Sequence, residues 1–187
     1  MNKFLVTGGL GLIGHNVVRR LMDRGDETVI MDIRTNYGII PQAEMDYLVA
    51  ERLKKINDHP VYNTDIANAG PVDFVIKQEK PSVVIHCASF PRQKTVQARP
   101  DLAARTMTEG LVNVLESART QQVRRLVFVS SSMVYGDFQD HCDENTLCQP
   151  MGQYGILKLA GEHLVRDVSR RSNIEHVILR PSAVYGP

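Results

Sequence analysis

Tyr154 and Lys158 are the residues whose types and spacing could do chemistry in this sequence of 187 residues. They lie four positions apart on a predicted helix, so they project from the same side of it. A tyrosine hydroxyl has an ordinary pKa of about 10, but a neighbouring ammonium group favours the phenolate and makes proton transfer feasible at about pH 7. Three serines, residues 130–132, end the preceding predicted strand and bring hydroxyl groups to the same edge of the sheet.

The segment "VTGGLGLIG", residues 6–14, comes directly after a predicted strand and directly before a predicted helix. In that context small residues let the backbone approach a pyrophosphate, and the helix N-terminus offers unpaired N–H groups. The letters fit two registers, Gly9-x-Gly11-x-x-Gly14 and Thr7-Gly8-x-x-Gly11-x-x-Gly14. Either register predicts a dinucleotide-binding loop.

Asp32 ends the second predicted strand, 18 residues after Gly14. A carboxylate at this place accepts hydrogen bonds from the adenosine ribose hydroxyls and repels the 2′-phosphate of NADP. The sequence therefore predicts NAD as the cofactor. Arg34, two residues further on, could contact a phosphate, which keeps NADP as the alternative.

The elements that must position these residues alternate between short apolar runs and longer helical patterns, which is typical of a parallel sheet with crossover helices. Strands are predicted over 3–7, 27–32, 61–64, 83–87, 126–131 and 175–180. Helices are predicted over 12–24, 70–79, 97–119 and 152–171, with an extra helix within 42–56. Right-handed crossovers give an α/β, Rossmann-like doubly wound parallel sheet, in which ligands bind beyond the carboxyl ends of the strands.

Composition excludes several classes of protein. A net charge of +1 gives no electrostatic footprint for nucleic acid or anionic lipid. No run of about 18 apolar residues occurs, so we expect no membrane segment and a cytoplasmic location. Three cysteines are too few and too scattered for a disulfide framework, and the stretch 141–148 matches no zinc pattern, so no metal site is predicted.

The whole chain resembles the extended short-chain dehydrogenase/reductase family, which includes the nucleotide-sugar epimerases and dehydratases, and its motifs are most like those of UDP-sugar 4-epimerases. The resemblance rests on motifs in chain order: Thr7-Gly8-x-x-Gly11-x-x-Gly14, Asp32, Asp65-Ile66, "HCAS" from His86, "SSSMVYGD" from Ser130, Tyr154-x-x-x-Lys158 and "LRPSAVYGP" from Leu179. It implies the register that begins at Gly8. Gly9 is then expected to be a permissive neighbour.

The resemblance also implies a role for each matched residue. Tyr154 is the expected general base, Lys158 lowers its pKa and binds the nicotinamide ribose, and Ser131 hydrogen-bonds the substrate hydroxyl. The expected cofactor-binding set is Gly8, Gly11, Leu12, Ile13, Gly14, Asp32, Asp65, Ile66, Ala88, Ser89, Lys158 and Pro181. His86 and Arg180, by contrast, are interpreted as structural residues satisfied by hydrogen bonds.

The implied activity is epimerisation of a nucleotide sugar, most familiarly a UDP-sugar, by transient oxidation. Tyr154 would take a proton from a sugar hydroxyl while hydride leaves the same carbon, and return of the hydride to the other face of the keto-sugar would invert the centre. Ser132 and Met133 stand where dehydratases and decarboxylases of the family carry acidic residues, which favours an isomerase. A net NAD(P)-dependent reductase or dehydrogenase and a non-catalytic NAD-binding module are the alternatives.

Family members continue past "YGP" into a lobe that binds the sugar nucleotide. Residues 1–187 are therefore expected to be the NAD-binding domain of a longer chain, with that lobe absent or truncated. Leu157, Ala183 and Thr106 depart from the family's usual residues, which leaves the nucleotide and the sugar open. The resemblance further implies a homodimer through the predicted helices over 97–119 and 152–171.

Overall fold

A parallel sheet forms the centre of this computed structural model, which describes residues 2–35, 37–56, 59–137 and 141–186. Its strands within those residues are β1 (Lys3–Thr7), β2 (Glu27–Asp32), β3 (Val61–Asn63), β4 (Val83–His86), β5 (Arg125–Val129) and β6 (Glu175–Leu179). They lie in the order β3-β2-β1-β4-β5-β6, and every pair is parallel. The predicted doubly wound sheet is confirmed, with strand ends shifted by one or two residues. The order reverses between β1 and β4, the place where such sheets bind ligands.

Helices cover both faces of the central strands of the sheet. They are α1 (Leu12–Asp23), α2 (Gln42–Lys54), α3 (Ala69–Glu79), α4 (Gln93–Ala98), α5 (Pro100–Ala104), α6 (Gly110–Thr120) and α7 (Gln153–Arg171). Helix α2 confirms the extra helix predicted within 42–56. In the part of the chain that the structure describes, no helix combines the length and the apolarity that crossing a membrane requires.

The prediction of one continuous helix over 97–119 is wrong. Arg99 has φ −142° and ψ 65°, and Pro100 starts α5 directly after it. A proline disfavours the helical region for the residue before it, so α4 ends there. A π-helical turn, Arg105–Glu109, then joins α5 to α6. Such turns are frequent at functional sites, and this one places Thr106 at the cavity described below.

Alternate residues of the central strands pack against opposite helical layers, because successive side chains of a strand point to opposite faces. Val6 and Ile30 belong to the core on the side of α1 and α2. Leu5 and Phe128 belong to the core on the side of α3, α6 and α7. Since helices cover both faces of these strands, the space left for a ligand lies at the carboxyl ends of the strands.

Candidate active site

A cavity of about 850 Å³ opens at the carboxyl ends of the strands, where the strand order reverses. Its volume falls in the range of about 300–1,000 Å³ found for ligand pockets. The structure brings all the sequence-predicted site residues to the wall of this one cavity: Gly8, Gly11, Leu12, Ile13, Gly14, Asp32, Asp65, Ile66, Ala88, Ser89, Ser131, Tyr154, Lys158 and Pro181. Residues from seven separate segments of the sequence therefore meet around a single space.

The glycine-rich loop is packed so closely that two of its positions have no room for a side chain. Gly8 has φ +66°, and a Cβ there would lie 2.7 Å from the Ala88 nitrogen. A Cβ on Gly14 would lie 2.0 Å from the Gly8 carbonyl oxygen. Helix α1 starts directly behind this loop, with no side-chain cap from the described residues on its N-terminus. The unpaired N–H groups of the first turn are thus available to an anion, as in phosphate-binding loops.

Gly9 is not the permissive position that the sequence suggested. It is buried, and a Cβ there would lie 2.8 Å from Cγ2 of Ile30 and 3.1 Å from the Val6 carbonyl oxygen. Gly9 is absent from the cavity wall, whereas Gly11 belongs to it. The two glycines therefore serve different ends: Gly9 lets the loop pack on the sheet, and Gly11 lets the backbone face the cavity.

Asp32 ties the glycine-rich loop to the end of β2. Its Oδ2 accepts a hydrogen bond from the Leu10 N–H at 2.9 Å, and its Oδ1 accepts one from the Arg34 N–H at 2.7 Å. Burial raises the pKa of Asp32, while these two backbone hydrogen bonds lower it. Arg52 of α2, which the sequence did not single out, donates to the Leu10 carbonyl oxygen and lines the same part of the cavity. The carboxylate remains on the cavity wall, where a ribose hydroxyl could reach it.

Lys158 and Tyr154 share one side of α7, as their spacing predicted. Lys158 is 4% exposed, its Nζ donates to the Val129 carbonyl oxygen at 2.7 Å, and that Nζ lies 5.8 Å from the centre of the Tyr154 ring. Burial lowers the pKa of Lys158 to about 8. Burial also raises the pKa of Tyr154, while the Ser131 side chain lowers it. The pKa of Tyr154 is thus raised overall, and its side chain lies near a buried amine and a serine.

Ser131 ends β5 and begins the 3-10 turn Ser132–Tyr135. Its Oγ accepts a hydrogen bond from the Met133 N–H at 3.2 Å. Because that bond uses a lone pair of the oxygen, the hydroxyl proton of Ser131 stays available to a partner in the cavity. The serine is therefore oriented by the backbone, and its side chain hydrogen-bonds Tyr154.

The sequence profile of the NAD dependent epimerase/dehydratase family matches residues 4–187. The chain belongs to this family. The resemblance inferred from the ordered motifs is thereby confirmed, and so is NAD as the cofactor of the family.

Relatives and solved structures agree with this membership. A putative UDP-glucose 4-epimerase from Methanocaldococcus jannaschii is 32% identical over 97% of this chain and 56% of its own length. A dTDP-glucose 4,6-dehydratase from Neisseria gonorrhoeae is 30% identical over 99% of this chain and 55% of its own. The crystal structure of a UDP-glucuronic acid 4-epimerase from Bacillus cereus, in complex with UDP-glucuronic acid and NAD, superposes with a TM-score of 0.87 at 27% identity, covering 99% of this chain and 58% of that one. The chain spans about half the length of the curated relatives it matches.

His86, part of the family motif "HCAS", is buried at the end of β4 and has a structural environment. Its Nδ1 is 2.9 Å from Oγ1 of Thr7, and its ring stacks on that of Phe128. Burial lowers the pKa of His86 to about 3, and the nearby Lys158 charge acts in the same direction. The imidazole is therefore neutral at physiological pH, in keeping with the structural interpretation of this residue.

Gln93 is a site residue that the sequence reasoning missed. It lines the cavity, and its Oε1 accepts a hydrogen bond from the Tyr154 N–H at 3.1 Å. Helix α7 follows Gly152, which offers no side-chain cap, so this amide satisfies an N–H group of the first turn. The lack of a capping side chain at Gly152 is the sequence signal that the first N–H groups of α7 need another partner, although it does not identify Gln93.

Tyr37 and Phe90 were also missed. Their ring centres lie 3.9 Å apart, and both line the cavity. Phe90 is fully buried in a small cluster that includes Leu157 of α7. Leu157, a departure from the family's usual small residue, thus packs from α7 against this cluster.

Proposed function

We propose that this chain is the NAD-binding domain of a nucleotide-sugar epimerase that inverts a carbon by transient oxidation of its hydroxyl. The observation that carries this proposal is that Ser131, Tyr154 and Lys158 lie on the wall of the same cavity as the glycine-rich loop. Binding of NAD alone does not require all three of those side chains. Two proteins similar to this chain are named as 4-epimerases, and one of them was crystallised with UDP-glucuronic acid and NAD. They support a UDP-sugar as the substrate.

Residues of the cavity wall fit three parts of NAD: the pyrophosphate, the adenosine and the nicotinamide end. The Gly8 and Gly14 positions, where a Cβ would collide with backbone, allow a pyrophosphate to approach the loop, and the uncapped N-terminus of α1 offers it N–H groups. Asp32 would hold the adenosine ribose, Asp65 and Ile66 the adenine, and Pro181 the nicotinamide end. When bound, NAD supplies a reversible hydride acceptor next to the sugar.

Tyr154 would hold and release the proton of the reacting hydroxyl. Burial lowers the pKa of Lys158 to about 8, so in most protein molecules this side chain is an ammonium group at pH 7. That charge, 5.8 Å from the Tyr154 ring centre, favours the phenolate. Ser131, whose side chain hydrogen-bonds Tyr154, would donate its hydroxyl proton to the sugar oxygen when the substrate is bound and hold that oxygen near Tyr154.

Epimerisation is favoured over dehydration by the residues that follow Ser131. A dehydratase must also move a proton at a neighbouring carbon, which needs an additional acid or base. Ser132 and Met133 carry no carboxyl group. Because a dehydratase is also 30% identical to this chain, experiment must decide between epimerisation and dehydration.

The test is to incubate the purified protein with NAD and a panel of UDP- and dTDP-sugars and to follow the products by NMR. We expect an epimer to form with no net NADH, and Tyr154→Phe to abolish turnover while NAD binding persists. Cofactor consumed in proportion to product would establish the reductase instead, and a 4-keto-6-deoxy product would establish the dehydratase. NAD binding with no product from any sugar that the protein is shown to bind would leave the non-catalytic module.

A homodimer through α6 and α7 is part of the proposal. These helices contact each other, and their outer faces carry Val112 and Ile156, which are 39% and 51% exposed. Apolar residues exposed on adjacent helices suit a helical interface. Sedimentation of the wild type and of Ile156→Glu tests it: we expect a dimer that the substitution dissociates, and a monomeric wild type contradicts it.

A further inference from the structure

Glu162 is a fully buried carboxylate on α7, four residues after Lys158 and eight after Tyr154. Its Oε1 accepts hydrogen bonds from the Ser130 hydroxyl at 2.7 Å and from Nε of Arg180 at 2.9 Å. Its Oε2 accepts from Nη2 of Arg180 at 2.7 Å and from Nη2 of Arg166 at 2.9 Å. One carboxylate thus receives four donors from three side chains, and the proposed reaction uses none of those side chains.

The Ser130 hydroxyl connects this carboxylate to the residue next to Ser131. The Ser130 backbone is held as well, because its N–H donates to the Leu179 carbonyl oxygen at 2.7 Å. Ser131 has little freedom of its own once Ser130 is fixed on both sides. The bond between Ser130 and Glu162 therefore sets the position of Ser131 relative to α7.

Arg180 connects the same carboxylate to the other side of Ser131. The next residue, Pro181, accepts the Ser132 N–H on its carbonyl oxygen at 2.9 Å. Nη1 of Arg180 also donates to the Tyr135 hydroxyl at 2.9 Å, which holds the end of the turn that Ser131 begins. The chain before and after Ser131 is thus tied to one group on the helix that carries Tyr154.

Stability alone does not account for this arrangement. A buried ion pair pays a large desolvation cost and is often no more stabilising than well-packed apolar residues. Burial raises the pKa of Glu162, but the hydrogen bonds from Arg180, Ser130 and Arg166 outweigh it and lower the pKa, so the group is ionised. What the carboxylate supplies is a fixed geometry among three elements of the fold: β5, the segment after β6, and α7.

We infer that Glu162 is a positioning residue, which holds Ser131 at the distance from Tyr154 that proton transfer requires. The inference rests on the proposed function, since the roles of Ser131 and Tyr154 are part of that proposal. The inference adds to the proposed site a residue, Glu162, that would contact neither the cofactor nor the substrate.

Two substitutions test the inference, and a third is the control. Glu162→Gln puts an amide N–H₂ against guanidinium donors and is expected to lower stability as well. Ser130→Ala is therefore the deciding variant, because it removes one hydrogen bond and leaves the ion pairs intact. Asp167→Asn is the matched control, since Asp167 lies on the same helix and pairs with Arg171 at the surface.

Amide hydrogen exchange of the protein with no substrate, followed by NMR, is the first readout. The Met133 N–H donates to Oγ of Ser131, so its exchange reports on that side chain directly. We expect Ser130→Ala to speed exchange at Met133 and Ser132 about 10-fold while the core amides of Leu5 and Val84 keep the wild-type rate. A merely structural role would speed all of these amides by one common factor, and that result, or no change at Met133, would overturn the inference.

Kinetics give the second readout. With Ser130→Ala we expect kcat to fall about 10-fold while KM and the Kd for NAD stay unchanged, because the lost alignment matters only in the transition state. Asp167→Asn should change none of these quantities. If the wild type turns over no sugar, the proposed function fails, whereas the exchange experiment still decides whether Glu162 positions Ser131.

Discussion

Adding one methyl group at Gly9 tests the packing of the glycine-rich loop on the sheet. Gly9 has no positive φ, so alanine suits its backbone, but the new Cβ would lie 2.8 Å from Cγ2 of Ile30. Ile30 is fully buried and β-branched, so it cannot swing aside cheaply. Overpacking of this kind costs about 1–3 kcal/mol, offset by about 0.4–1 kcal/mol from the stiffer unfolded chain. We expect Gly9→Ala to lower the free energy of unfolding by about 1–2 kcal/mol.

Urea unfolding measures that loss, and Gly11→Ala is the matched control. A Cβ on Gly11 meets only the Gly8 carbonyl oxygen, at 3.2 Å, so its effect on the free energy of unfolding should be about 0.5 kcal/mol or less. The order should reverse for the Kd of NAD, because Gly11 lines the cavity and Gly9 does not. If Gly9→Ala weakened NAD binding more than Gly11→Ala, the loop register that begins at Gly8 would be wrong.

A double-mutant cycle identifies the atom responsible for the loss. Ile30→Ala removes the Cγ2 atom that the Gly9→Ala methyl group would meet, so the two substitutions together should cost about 1–2 kcal/mol less than the sum of the single effects. Strict additivity would mean that the new methyl group is accommodated elsewhere, and the steric reasoning would be refuted.

Three further predictions concern the cavity wall. Burial lowers the pKa of Lys158 from 10.5 to about 8, so between those values the unfolded chain holds a proton that the folded chain has lost. The slope of stability to urea against pH should therefore be more positive over that range in the wild type than in Lys158→Met, and equal slopes would contradict this. Asp32→Ser should raise the affinity for NADP relative to NAD in calorimetry, because a carboxylate that repels the 2′-phosphate is gone, and an unchanged ratio would remove Asp32 from the ribose site. Gln93→Ala should lower the free energy of unfolding by about 1 kcal/mol, since the Tyr154 N–H loses its cap, whereas a neutral effect would show that water replaces the amide.

The sequence predicted the strands well because strands buried on both faces are nearly continuous apolar runs. Its error at the end of β5, predicted to reach residue 131, has a local cause. The Ser131 side chain caps the turn Ser132–Tyr135, and a capped turn ends a strand. The break before Pro100 was also within reach of the sequence, since a proline restricts the residue before it.

The remaining differences depend on contacts between distant parts of the chain. Gln93 reaches Tyr154 across 61 residues, and no local pattern pairs them. The collision at Gly9 depends on how β2 lies under the loop, because Ile30 belongs to a neighbouring strand. Residue types and spacing could therefore identify which residues meet at the cavity, but not which atoms of the second layer hold them there.

The serines at the end of β5 show what can be predicted from the alternation of side chains between the two faces of a strand. Leu126 and Phe128 point to the side of the sheet that α7 covers, and Ser130 continues their row. The next residue along, Ser131, must then turn away from that row and towards the cavity. A polar residue extending an apolar row needs a buried partner, and Glu162 of α7 is that partner. Adjacent serines thus divide two tasks between them, since one faces the helix that anchors it and the other faces the cavity.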